Sequence, residues 1–338
     1  MTLDALDSLR GHDGAKRLLR AVQTTGRIPT GFLFHGHVGV GKRTAARIFL
    51  RRLVCDAGTG CGTCLPCRMD LEERHPDLLE VARAEGKTRL VIDQIRDLRE
   101  WFSVTPFFAD RRAAVIDDAS TMTEEAQNAL LKLLEEPPAR GLIILVADDP
   151  GKLLETIRSR LQTVYFGPLR EKDLLNLADP EGSLPSTHRS LLALWAGGSV
   201  ERAGRLLEEG RLDEAIARSR ALLDRKVGPF SFSQDLLGGR VAGRDQREEV
   251  RELLEGSLLL LRAELRARYG GDVPDVLLME ELGARDDAVI EEAQVLLLEG
   301  LGRLGGQATP RLLLEGLKIR LHRLWHGSRS RGGVPRTV

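Results

Sequence analysis

Three groups of residues in this chain have types and spacings that could do chemistry. The first is Gly36-His-Val-Gly-Val-Gly41-Lys42-Arg43, set between a short apolar run, Gly31-Phe-Leu-Phe-His35, and a helical stretch from Thr44 to Leu50. Strand, Gly-rich turn, helix is the context in which the pattern G-x-x-x-x-G-K-[ST] binds phosphate. Backbone N–H groups at a helix N-terminus face the anion, and the lysine reaches the outer phosphates. Gly36, Gly39, Gly41 and Lys42 fit that role, but Arg43 stands where a Ser or Thr hydroxyl would hold Mg²⁺. A guanidinium offers only donors and a fixed positive charge, so it cannot ligate a cation and repels one. Thr44 comes one residue late and points about 100° away around the helix. The plain alternative is a Gly-rich turn that merely imitates a phosphate loop; the flanking strand and helix weigh against it.

The second group is Asp117-Asp118, which ends the apolar strand Ala113-Ala-Val-Ile116. A hydrolytic site of this kind needs an Asp for the metal and then a Glu to polarise the attacking water. Asp118 is shorter than Glu by one methylene, about 1.5 Å of reach, and phosphoryl transfer depends mainly on positioning. Acid pairs at strand ends are also common solvated termini, so the pair draws its weight from the loop before it. The third group is Cys55, Cys61, Cys64 and Cys67, the chain's four cysteines. Two overlapping C-x-x-C pairs with a fourth Cys close by can give four thiolates to a tetrahedral Zn²⁺, one ion per chain. With all four positions taken by protein, the ion is structural. Free thiols and a redox pair are the alternatives, and a disulfide framework does not suit a reducing cytosol.

The elements that must position these groups follow from the rest of the pattern. Strand signals at 31–35, 78–82, 113–116, 142–146 and 163–166 alternate with helical stretches, which predicts a parallel sheet covered on both faces. Asp93 reads as the N-cap of a helix carrying Ile95, Leu98 and Phe102. Thr123 reads as the N-cap of another, in which Ala126, Ala129, Leu130, Leu133 and Leu134 keep helical spacing and Pro137-Pro138 is the stop. After Pro168 the strand signals cease. A helical segment is expected from Leu191 to Leu207, a loop-like stretch near Gly238 to Gly243, a long amphipathic helix through Val250, Leu254 and Leu261, and helices over 289–304 and 312–325; the Gly, Ser and Arg-rich tail 327–338 reads as disordered. With 50 basic and 50 acidic residues among 338, the formal charge is zero, so any DNA contact must come from a local patch or an assembled complex. No apolar run approaches a membrane span, and the N-terminus lacks the basic start and apolar core of a signal peptide. A cytoplasmic protein with no membrane partner is expected.

Several segments resemble the clamp-loader branch of the AAA+ family, the gamma/tau and delta-prime subunits of bacterial DNA polymerase III. Asn128-Ala-Leu-Leu-Lys-Leu-Leu-Glu-Glu-Pro-Pro138 is similar to their most recognisable helix. Thr156-Ile-Arg-Ser-Arg160 is similar to the Ser-Arg-Cys segment, which makes Arg160, with Ser159, an arginine finger acting in a neighbour's ATP site. Gly11-His12, Val91-Ile-Asp-Gln-Ile-Arg96 and Pro310-Arg-Leu-Leu-Leu-Glu315 fit further family segments. The resemblance implies an α/β fold followed by all-α: an AAA+ P-loop module over 1–169 with a zinc-binding insertion at 55–68, a small helical lid over 170–218 and a helical collar over 219–326. It also implies gamma/tau and delta partners, with the sliding clamp and primer–template DNA reached through the complex. The departures lie in the nucleotide site: Arg43, Asp118, Ala147-Asp148 where the gamma type has Thr-Thr, and Glu201 (with Arg202 beside it) where the gamma type has a phosphate-sensing Arg. Together they point to the non-hydrolysing, delta-prime type. Hydrolysis by the chain itself is not expected, and binding of ATP is left open by Lys42 and the glycines. A gamma-type subunit that hydrolyses ATP is the first alternative; an AAA+ helicase acting on branched DNA fits the cysteines and the Leu-Glu-Glu-Pro helix poorly.

Overall fold

The computed structural model describes residues 4–229, 232–233, 244–283, 285–304 and 308–327. The loop-like stretch read near Gly238 to Gly243 and the tail beyond 327 lie outside the described residues. The chain divides into two compact units, one running to Pro185 together with Ala196–Gly204, the other from Ser186–Trp195 and from Arg205 on.

The first unit carries five strands, β1 (Gly31–Gly36), β2 (Leu78–Val81), β3 (Arg112–Ile116), β4 (Gly141–Ala147) and β5 (Gln162–Phe166), in spatial order β2-β3-β4-β1-β5. Every pairing is parallel, from Leu78↔Ala113 at one edge to Phe32↔Gln162 at the other. Parallel neighbours need crossovers, supplied by α2 (Lys42–Val54), α3 (Leu65–Leu71), α4 (Ile92–Phe102), α5 (Glu124–Glu135) and α6 (Glu155–Arg158), while α1 (Asp13–Thr25) precedes β1. Both faces of β1 are buried, which is why its sequence reads as a continuous apolar run. Phe32 and Phe34 pack with Phe49 of α2 and Leu19 of α1 on one side, while Leu33 joins Leu98 of α4 and Leu130 of α5 on the other.

Thr123 caps α5 as its sequence indicates, its hydroxyl accepting from the Ala126 N–H at 3.2 Å. Asp93 does not cap α4: the helix begins at Ile92, and the N-cap is Val91. A valine side chain has no acceptor, so Gln94 reaches back instead, its side-chain oxygen accepting from the Val91 N–H at 3.2 Å. After β5 come α7 (Glu171–Ala178), α8 (Ser186–Ala196) and α9 (Val200–Leu206). The single helical segment expected from Leu191 to Leu207 is thus broken, at Gly197-Gly198. Both glycines have φ in the left-handed region, which a helix cannot continue through.

The second unit is helical: α10 (Arg211–Leu223), a long helix Arg244–Arg268, a short turn Glu280–Gly283, and helices Asp287–Leu304 and Pro310–Gly327. Val250, Leu254 and Leu261 of the long helix are buried, as their spacing predicts. Less expected is Lys318, which is also buried. Its ammonium donates to the carbonyls of Ala221, Leu222 and Asp224 at 2.8, 2.7 and 2.6 Å. The end of α10 has carbonyls with no partner inside the helix, and Lys318 supplies one from another helix. No helix among the described residues is long and apolar enough to cross a membrane.

Candidate nucleotide site and metal centre

In a parallel sheet the C-terminal strand ends share one edge, and here that edge gathers Gly36 at the end of β1, Asp117 and Asp118 after β3, and Asp148 after β4. The loop 36–41 turns from β1 into α2, and α2 starts at Lys42. Gly36 has φ +129°, and a Cβ there would lie 2.1 Å from the Phe166 carbonyl oxygen, so only glycine fits. Lys42 is only 4% exposed. Its ammonium donates to the carbonyls of Gly36 at 3.0 Å and His37 at 2.6 Å, and pairs with an Asp148 carboxylate oxygen at 2.8 Å. His12, in the left-handed opening turn, sits beside the same loop with its ring nitrogen 3.0 Å from the Val40 carbonyl oxygen.

Arg43 turns towards the acids. Its guanidinium pairs with Glu80 and lies 3.8 Å from Asp117, so a fixed cation sits among these acids. Glu80 and the neighbouring acids hold the guanidinium charged against the opposing effect of burial. Burial, then the adjacent Asp118, raises the Asp117 carboxyl above its ordinary value. Asp118 is in the left-handed region at φ 51° and is gripped by Arg83, whose Nη2 and Nε lie 2.8 and 3.0 Å from Oδ2. Thr44 is exposed. On the other flank of the loop, the Val200 and Glu201 N–H groups donate to the Gly39 carbonyl at 2.9 and 3.2 Å. The turn that contains Glu201 therefore rests directly on the phosphate loop. Glu80 and Arg83 escaped sequence reading; their signal is position, since they sit at the end of β2, whose register places Glu80 beside Val115.

Arg160 is not at this edge. It precedes β5 at the opposite, N-terminal side of the sheet, where its Nη1 donates to the Thr156 carbonyl and its Nη2 pairs with Glu135, both at 2.9 Å. Ser159 donates to the same Thr156 carbonyl at 3.1 Å. The finger candidate and the nucleotide-site candidates therefore occupy opposite edges of the sheet.

The four cysteines converge. Their Sγ atoms all lie within 4.8 Å of one another, with Cys55 and Cys67 buried. A tetrahedral ion with bonds of about 2.3 Å needs sulfurs about 3.8 Å apart, so this cluster could close on a metal ion by a small contraction. The Cys61 N–H already points at Cys55 Sγ, and the Cys64 N–H at Cys61 Sγ, both at 3.4 Å. The Thr63 hydroxyl, with the Cys64 N–H, holds the Cys61 thiol down at about 6, whereas burial pushes Cys67 up. Gln23 of α1 ties the module to the sheet domain, its amide donating to the Gly58 carbonyl at 2.9 Å and its oxygen accepting from Arg52 at 2.7 Å.

A phosphate loop between a central parallel strand and a helix, with an acid pair on the next strand but one, defines a P-loop module of the nucleotide-binding ATPase class. Comparison with known proteins narrows the class. The family model "DNA polymerase III, delta subunit" matches residues 11–170. The delta' subunit of DNA polymerase III from Bacillus subtilis is 32% identical over 266 residues, covering 76% of this chain and 77% of that one. The gamma/tau subunit from Mycobacterium tuberculosis is 30% identical over 346 residues, covering 92% of this chain but only 60% of the relative. A gamma subunit-related protein of Thermotoga maritima superposes with a TM-score of 0.48 at 19% identity, covering 91% of this chain and 99% of its own. The chain belongs to the gamma/tau and delta-prime family of DNA polymerase III clamp-loader subunits.

Proposed function

We propose that this chain is a delta-prime-type subunit: a non-hydrolysing member that assembles with gamma/tau and delta subunits to load the sliding clamp on primed DNA, in the cytoplasm. The observation that carries the reading is that the charged groups of the nucleotide site are matched within the chain. Lys42 is paired with Asp148, Arg43 with Glu80 and Asp117, and Arg83 with Asp118. A hydrolytic site needs an open metal position and a carboxylate free to orient water; here a guanidinium fills the first and another guanidinium grips the second. The proposal includes a P-loop module over 1–169, a lid over 170–218 and a collar over 219–326, with Arg160 donated in trans. The gamma-type alternative draws its support from the 30% identity over 92% of the chain. ATP turnover by the purified chain alone decides between them. None is expected, and turnover at the rate of a loader motor would establish the gamma type.

The metal in the cysteine module is proposed to be zinc, held by Cys55, Cys61, Cys64 and Cys67. Elemental analysis of freshly purified protein should find about one zinc per chain. Zinc peptides bind with apparent free energies of roughly 10–16 kcal/mol, of which only part would appear as stability of a larger domain. Cys64→Ser should therefore speed hydrogen exchange across 55–68 while leaving clamp loading nearly unchanged. Protein purified without zinc would refute this assignment.

A further inference from the structure

Loss of catalysis alone does not require the phosphate seat to be filled. Arg43 and the grip on Asp118 would suffice to stop hydrolysis, yet Lys42 is engaged as well. An ammonium has three N–H donors, and those of Lys42 face the Gly36 carbonyl at 3.0 Å, the His37 carbonyl at 2.6 Å and Asp148 at 2.8 Å. The lysine is buried while Asp148 is partly exposed, with side-chain accessibilities of 4% and 32%. Asp148 is placed by the sheet itself, since β4 lies against β1 with Ala147 beside His35. On the far side of the loop, a Cβ built on Gly39 would meet Ser199 Oγ at 2.2 Å and Glu201 Oε2 at 3.2 Å. A second carboxylate thus faces the loop.

We propose that Asp148 is the residue that excludes nucleotide: its carboxylate takes the place of a phosphate on Lys42, so the loop is satisfied without a ligand. An incoming triphosphate must displace one carboxylate from a buried ammonium and settle near another, and like charges at such range oppose binding. The assignment rests on the reading of a non-hydrolysing chain, and it makes exclusion of nucleotide a property of one side chain instead of a general decay of the site. It also predicts an unusual ligand state. Because Arg43 already bridges towards Glu80 and Asp117, any nucleotide admitted by removing Asp148 would bind without magnesium.

The experiment uses the full chain and its Asp148→Asn and Asp148→Thr variants, each first shown to melt as the wild type does. ATP binding is measured by equilibrium dialysis in magnesium and in excess chelator, with inorganic pyrophosphate as competitor. Asp148→Asn should bind ATP at least tenfold tighter than wild type, equally with and without magnesium, and Lys42→Ala in that background should abolish the gain. Affinities within threefold of wild type for both variants would overturn the proposal, as would a gain that survives Lys42→Ala. Wild-type turnover is measured in parallel. Turnover would overturn the non-hydrolysing reading, whereas an inert wild type with no gain in either variant would overturn the role of Asp148 alone.

Discussion

A loader reassembled with Arg160→Ala is expected to form normally and to lose DNA-stimulated ATP turnover and clamp loading by about tenfold. An arginine finger answers the negative charge that spreads over the γ-phosphate oxygens in the transition state, and in small GTPases it contributes about 10³–10⁵ in rate. Arg160 would complete one of several sites, so the effect on the whole loader is smaller than the effect at that site. In the isolated chain Arg160 is held by Glu135 and Thr156 at 2.9 Å, with both side chains of the ion pair more than a third exposed. Such a pair contributes only about 0–1 kcal/mol, so it orients the guanidinium at rest without preventing its transfer to a phosphate. Arg158→Ala is the control, since Arg158 is not the finger on the family match. Unchanged rates in an intact Arg160→Ala complex would leave Arg160 as an ordinary surface partner of Glu135.

The largest expected effect on stability comes from a residue outside the nucleotide site. Asp77 is fully buried, and its carboxylate accepts from the N–H groups of Phe107, Phe108 and Ala109 at 2.7, 2.6 and 2.9 Å. Arg112, stacked 4.6 Å from the Trp101 ring centre, lies 3.6 Å away. Asp77→Ala would remove a fully buried carboxylate from three backbone donors and from the buried Arg112 guanidinium, and removing one partner of a buried charged pair typically costs about 3–5 kcal/mol. Burial works to raise the Asp77 carboxyl, but the three N–H donors outweigh it and hold the group below its ordinary value. The folded chain therefore keeps this charge to lower pH than the unfolded chain does. Its contribution is complete above the usual carboxylate value of about 4 and is lost as pH falls through the folded value. Melting curves should show a gap between wild type and Asp77→Asn at pH 7 that narrows below about pH 4; a gap independent of pH would contradict the assignment.

Much of the site was legible in sequence because its parts are contiguous. Gly36 to Arg43 announces itself by spacing, and four cysteines within one short stretch announce a cluster that could hold a metal ion. The partners of those residues were less legible, because they come from register. Glu80 meets Arg43 only when β2 lies beside β3, and Asp148 meets Lys42 only when β4 lies beside β1. Ala147-Asp148 stood out as a departure from a family pattern, but nothing local shows that the acid answers a lysine in a distant loop. Arg83 and Asp118 are joined the same way. In the fold, strands and the amphipathic helices α5 and Arg244–Arg268 followed from periodicity. The misplaced cap of α4 has a different cause: Asp93 is a good capping residue by type, yet Gln94 does the work from inside the first turn, and a side chain reaching backwards leaves the simpler signal misleading.

Lys318 has a consequence for the order in which the chain can be completed during synthesis. The carbonyls it satisfies lie 94–97 residues earlier. A ribosome adding about 5–20 residues per second makes the end of α10 roughly 5–20 s before its cap exists. Throughout that interval the newly made helix end must stay hydrated or borrow another partner, and the helices of the second unit cannot close over it in their final packing. None of the carbonyls that Lys318 caps lies in the first unit, so its sheet can be finished while the helical unit is still waiting for Lys318 to leave the ribosome.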